Sequence, residues 1–158
     1  MLARDPIAMF MKEHELALEQ LHILKKVSQE IKKKGFSDKS IQQLVKAAEY
    51  INEEVTEHNA KEEKILLPII DQHYDGPSAN IRDDHRKMAK LNKKLRISLN
   101  SFLENNNDKV AKSELCEAAE EIVQLMVNHI HKENQIIFQM IKKILPKDQL
   151  RELVKKMI

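Results

Sequence analysis

The chain has 158 residues, 42% of them hydrophobic, and sets 27 Lys plus Arg against 25 Asp plus Glu. That length and apolar content suit one globular domain over residues 1–158, and a formal charge of +2, evenly spread, gives no reason to expect a nucleic-acid surface. Two glycines and four prolines among abundant Lys, Glu, Leu and Ile exclude a Gly-rich phosphate loop and point to an all-α protein. A single cysteine, Cys116, rules out an intramolecular disulfide, and the start of the chain lacks a charged-then-apolar signal pattern. A reducing, cytoplasmic setting is expected. No membrane contact is expected either, because no apolar run approaches the roughly 18 residues of a membrane span; ILLPII is flanked by charge. Nothing in the sequence names a protein partner.

Asp5-Pro6 has the cap-then-proline order of a helix start, and Gly35 is a natural stop, so the first helix covers about residues 6–34. The second runs from about Asp38 to His73. Pro68 lies inside it, lacks a backbone donor and clashes with the carbonyl a turn earlier, so a bend is expected just after Glu63. DGPSAN breaks the chain before a third helix, from about Ser78 to Leu103, and NNND precedes a fourth, from about Lys109 to Leu145. Pro146 then opens a short amphipathic helix, about 147–158, that packs across one end. The basic runs at Lys32–Lys34 and Lys142–Lys143 fall in last turns, where they oppose the helix dipole. Four long helices with short connections predict an up-down-up-down four-helix bundle over about residues 5–145.

Apolar periodicity assigns the inward seams. In the second helix Leu44, Ala48, Ile51, Val55, His58, Glu62, Ile65 and Ile69 alternate in steps of four and three; in the fourth, Ala119, Ile122, Met126, His129, Glu133, Ile136 and Met140 do the same. Ile7, Met11, His14, Leu18 and Leu21 line the first helix, and Ile81, His85, Met88, Leu95, Leu99 and Phe102 the third. Each helix therefore points one histidine inward, while His22, His73 and His131 fall off the stripes or at helix ends.

The inward polar residues repeat. His14 and His85 are 71 residues apart, as are His58 and His129, and Lys61, Glu62 and Ile65 recur as Lys132, Glu133 and Ile136. Two copies of one helical hairpin packed about a pseudo-two-fold axis bring the polar residues face to face. An unpartnered buried carboxylate is unfavourable by several kcal/mol; either a cation neutralises Glu62 and Glu133, or they are protonated, or the four histidines satisfy them in a hydrogen-bonded network. Of these, a metal site best explains four histidines and two glutamates together. Imidazole and carboxylate suit iron, manganese or zinc, and the absence of inward thiolates argues against a structural zinc cluster. The donor count fits a dinuclear site with His14, His58, His85 and His129 as terminal ligands, Glu62 and Glu133 as bridges, and an oxo, hydroxo or water group completing it.

The set His14, His58-xxx-Glu62, His85 and His129-xxx-Glu133 resembles the hemerythrin-like, or HHE cation-binding, family over about residues 5–145, including the apolar segments KILLPII and QIIFQMI after each HxxxE. The resemblance implies a non-haem, carboxylate-bridged pair of iron ions and a small ligand such as O2, NO or peroxide, in sensing, detoxification or response to iron-centre stress. Oxygen-carrying hemerythrins add a histidine where this chain has Ala89 and an aspartate where it has Asn134. Those departures count against reversible oxygen transport. The closer likeness is to bacterial hemerythrin-like and repair-of-iron-centres proteins, whose further carboxylates, one turn before the second histidine and immediately before the third, correspond to Glu54 and Asp84. The cysteine-containing N-terminal segment of the repair proteins has no match here. Tyr50, two turns before His58, is a further candidate beside the pocket. Rival readings are an iron-donating or storage-like protein and a metal-stabilised interaction module. Ferritin-type sites use Glu-x-x-His, which occurs here only at Glu19–His22, off the seam. Whether the protein turns over a substrate is open at this level.

Overall fold

The computed structural model describes residues 5–157, and every regular element among them is helical. The first four residues and Ile158, the last residue of the expected tail, lie outside that range. The first helix is Pro6–Lys34; the Asp5 carboxylate accepts from the Ile7 N–H, and Gly35 ends it with a φ of 87° that disfavours a side chain. The second, residues 38–73, starts from a reciprocal Ser37–Ser40 capping box. The third is Pro77–Glu104; the fourth, residues 109–144, begins where Asp108 accepts from the N–H groups of Val110 and Ala111. A fifth, Lys147–Met157, buries Leu153, Val154 and Met157. The first helix packs along the second and fourth, and the third along the fourth, giving the expected up-down-up-down bundle. The fifth meets the first helix and the second near Glu62, closing one end.

Two apolar clusters divide the interior. The larger, around Leu24, Ile31, Leu44, Leu95, Phe102 and Leu115, fills the end nearest Gly35; the smaller, around Ile7, Phe10, Leu66, Ile70, Phe138 and Ile141, lies under the fifth helix. The inward histidines and glutamates occupy the layer between them.

The irregularity expected just after Glu63 is a π-turn at Glu62–Leu66. Pro68 does not account for it, because Glu133–Ile137, at the matching place in the fourth helix, forms the same turn with no proline nearby. A π-turn inserts one residue into the helical repeat, so the inward stripe shifts by one position directly beyond Glu133, and beyond Glu62 only from Ile69 onward, Ile65 staying buried at 5% beside Leu66. Ile136, expected inside, is 52% exposed, and Ile137 takes its place at 3%. Met140 and Ile69 are only partly buried, while Ile141 and Ile70 are fully buried. Pro68 is therefore accommodated in the first turn of the resumed helix, Leu67–His73. A further π-turn, Ile51–Val55, has no counterpart in the fourth helix.

Candidate metal centre

All six residues singled out as ligands converge in the polar layer, and all six are buried. Their donor atoms form two groups, His14–His58–Glu62–Glu133 and Glu62–His85–His129–Glu133, each with its atoms within 4.8 Å of one another. The glutamates belong to both groups. Within them, His14 Nε2 and His129 Nε2 lie 3.0 and 3.1 Å from Glu133 Oε1, and His58 Nε2 and His85 Nε2 each lie 3.3 Å from Glu62 Oε1.

The outer nitrogens fix how the rings are protonated. His58 Nδ1–H donates to Glu13 Oε2 at 2.8 Å, and His129 Nδ1–H donates to Asp84 Oδ2 at 2.9 Å. His14 Nδ1–H donates to the Asn134 amide oxygen at 2.7 Å. With a proton on Nδ1, a neutral imidazole has its lone pair on Nε2. His14 Nε2 and His58 Nε2 nevertheless face each other at 3.1 Å, lone pair against lone pair. No hydrogen bond forms in that arrangement without an added proton.

The carboxylates are in the same position. Both oxygens of Glu62 and of Glu133 lack a hydrogen-bond partner, as do Nε2 of His85 and of His129. Glu62 and Glu133 are 1% and 0% exposed, so each stranded oxygen bears a desolvation cost of about 1–3 kcal/mol or more. Burial and the facing Glu133 push the Glu62 carboxyl well above the usual carboxylate range. Burial opposes ionisation of Glu133 as well, but Glu62, His129 and His14 beside it hold it well below. One proton between the pair is the best a metal-free interior can do. Burial, and then the neighbouring His129, lower His85 to about 4, which keeps it neutral and able to ligate at neutral pH. Facing carboxylates and imidazole nitrogens that a metal-free interior satisfies only by taking up protons fit a pair of cations.

Residues 5–141 match the family model described as the hemerythrin HHE cation-binding domain. The chain belongs to that family. No curated protein and no solved structure gives a significant match. Membership makes the protein a cation binder, and the convergent His and Glu donors are where the fold can hold metal.

In this member of the family, Asp84 Oδ2 accepts from His129 Nδ1–H, and Lys132 Nζ lies 2.6 Å from the same oxygen. Glu54 and Tyr50 make no hydrogen bond or ion pair to the inner donors; Glu54 is exposed, and both line a cavity of about 150 Å³ that reaches His14, His58, His129 and Glu133. Burial and the nearby carboxylates of Glu54, Glu13 and Glu19 raise the Tyr50 phenol, which stays protonated. Sequence reasoning missed Glu13. It lies 71 residues before Asp84, and its ties to His58 and, at 3.5 Å, to Lys61 copy those of Asp84 to His129 and Lys132. The repeat interval alone would have found it. Asn134, noted only as a missing aspartate, is the support of His14.

His22, His73 and His131 are all exposed, as are Glu19 and its Glu-x-x-His spacing. Cys116 is buried, with its thiol on the Ser28 carbonyl at 3.4 Å and raised by burial, far from a reactive thiolate. No described helix is long and apolar enough to cross a membrane.

Proposed function

We propose that the protein is a non-haem di-iron protein of the hemerythrin-like kind that binds or reacts with a small ligand, O2, NO or peroxide. The observation that carries this is the pair of donor groups sharing Glu62 and Glu133. His14 and His58 would hold one ion, His85 and His129 the other, and the two glutamates both. Imidazole nitrogen and bridging carboxylate suit iron, with manganese or zinc as substitutes. A bound iron pair supplies two one-electron redox equivalents and an exchangeable coordination position.

The residues of the chain prepare the setting. Apolar clusters on both sides of the polar layer exclude bulk water. Glu13, Asp84 and Asn134 keep protons on the outer nitrogens, so the inner ones stay free to bind metal. The cavity of about 150 Å³ gives a small molecule room beside His14, His58, His129 and Glu133; on the same measure one water needs roughly 10–15 Å³. Protein loaded anaerobically with ferrous iron should hold close to two iron atoms per chain. It should then give new absorption bands on titration with O2, NO or peroxide. Folded protein that retains no iron overturns the reading.

Iron donation is the second reading, favoured by the rim of the same cavity, where Glu13, Glu54 and Glu57 stand between solvent and the donors. Transfer of iron to a metal-free acceptor, with no ligand band, would select it. The single cysteine, buried and unpaired, suits a reducing, cytoplasmic setting for either.

A further inference from the structure

Three of the four inward histidines have a partner on their outer nitrogen; the fourth does not. The nearest acceptor to His85 Nδ1 is Glu63 Oε1 at 3.6 Å, beyond hydrogen-bond reach, and that nitrogen is buried without a partner. Glu63 is the repeat counterpart of Asn134, which holds His14 at 2.7 Å. At this place the two halves of the duplication differ.

A second difference falls on the same side. The His14 ring stacks on Phe138, with centroids 5.2 Å apart and planes 20° apart, and the His58 ring meets the edge of Phe10 at 5.3 Å. The residues matching Phe138 and Phe10 in the other half are Leu67 and Ile81. His14 and His58 are thus wedged by aromatic rings, whereas His85 and His129 have only each other, at 5.1 Å. Cavities reach both positions, one of about 150 Å³ at His14, His58 and His129 and one of about 210 Å³ between the second and third helices at His85, so the difference lies in how the rings are held.

A ligand whose outer nitrogen is held binds metal more tightly, because the contact fixes both tautomer and ring orientation; losing it typically costs 10–100-fold in affinity. We propose, resting on the two-position reading above, that the position formed by His85 and His129 is the exchangeable one. Asn134 and Phe138 are the positioning residues that make the His14–His58 position the retained one. The two metal positions are unequal by construction, one built to stay filled and the other to load and empty.

The test is release of Fe(II) from the fully loaded protein, kept anaerobic, to a chromophoric chelator. Release should occur in two phases of equal amplitude, with rates about tenfold or more apart. A crystal taken after the fast phase should keep metal density at His14 and His58 and lose it at His85 and His129. Asn134→Ala should bring the slow phase toward the fast one by about tenfold. Phe138→Leu, which copies the other half and preserves apolar volume, should move it the same way. Glu63→Ala should leave both phases in place. Two ions released at one rate, density lost first at His14, or a fast phase accelerated by Glu63→Ala overturns the proposal. A folded protein that takes up fewer than two ions overturns the two-position reading itself, and this inference with it.

Discussion

The first pair of helices and the second carry the same donors through different packing. His14, His58, Glu62, Glu13 and Lys61 recur 71 residues later as His85, His129, Glu133, Asp84 and Lys132, and the π-turn at each glutamate recurs with them. Among the residues near the donors that do not recur are Phe10, Phe138, Asn134 and Pro68, replaced in the other half by Ile81, Leu67, Glu63 and Gln139. What repeats is the geometry needed to surround two charges. What differs is the wall behind the rings, so the halves share chemistry while differing in how firmly they apply it.

The largest expected effect removes what both halves share. With each ion at about a thousand times its dissociation constant, binding stabilises the fold by about 4 kcal/mol per site. Chelation also returns the facing carboxylates and lone pairs to an unpartnered state. Calorimetry should show the chelated protein melting lower by on the order of 10 °C or more, with recovery on adding metal back. Equal melting temperatures with and without metal would mean that the polar layer satisfies itself, and the common ground between the halves would vanish.

A smaller effect tests the π-turn. Ile137 is buried where Ile136 is open to solvent, so Ile137→Ala should cost about 2–5 kcal/mol and Ile136→Ala within about 0.5 kcal/mol. Leu66→Ala should match Ile137→Ala, since Leu66 holds the equivalent place and is fully buried. Urea denaturation measures all three. A costly Ile136→Ala with a mild Ile137→Ala would restore the uninterrupted heptad register.

The sequence carried the fold and the six donors because both rest on period and repetition. The seams from Leu44 to Glu62 and from Ala119 to Glu133 follow unbroken steps of three and four, and burial agrees with them. Beyond the glutamates the reading held at Ile65, which is buried, and failed by one residue at Ile136, Met140 and Ile69. A π-turn leaves no local signature: KILLPII and QIIFQMI are apolar enough to support either register. Pro68 supplied a plausible but wrong cause, because only comparison with Gln139 shows that the turn does without it. Glu13 escaped for a different reason. As one exposed-looking acid in a helix surface of Lys and Glu, it is distinguished only by its interval to Asp84. The phenylalanines behind His14 and His58 read as ordinary core, since a stripe gives a residue's face but not the ring it touches.

The smallest effect separates the two carboxylates that support the histidines. Glu13 and Asp84 contact their histidines at 2.8 and 2.9 Å, so replacing either by alanine should weaken metal binding by about 10–100-fold. The losses should not be equal. The Asp84 side chain is 10% exposed against 31% for Glu13, and its cationic neighbour lies closer, Lys132 at 2.6 Å against Lys61 at 3.5 Å. Burial works against ionising both carboxyls; Lys132 and His129 hold Asp84 below the usual range, and His58 and Lys61 hold Glu13 below it. Asp84→Ala therefore leaves the buried His129 Nδ1–H without its acceptor in drier surroundings, where charge interactions are stronger, while solvent can compensate at Glu13. Asp84→Asn should recover much of the affinity, because an amide oxygen still accepts from Nδ1–H, as Asn134 does for His14. Competitive metal titration of the three variants ranks them; Asp84→Asn as weak as Asp84→Ala would show that His129 needs a negative charge behind it and that an amide suffices only in the half that wedges its rings with phenylalanine.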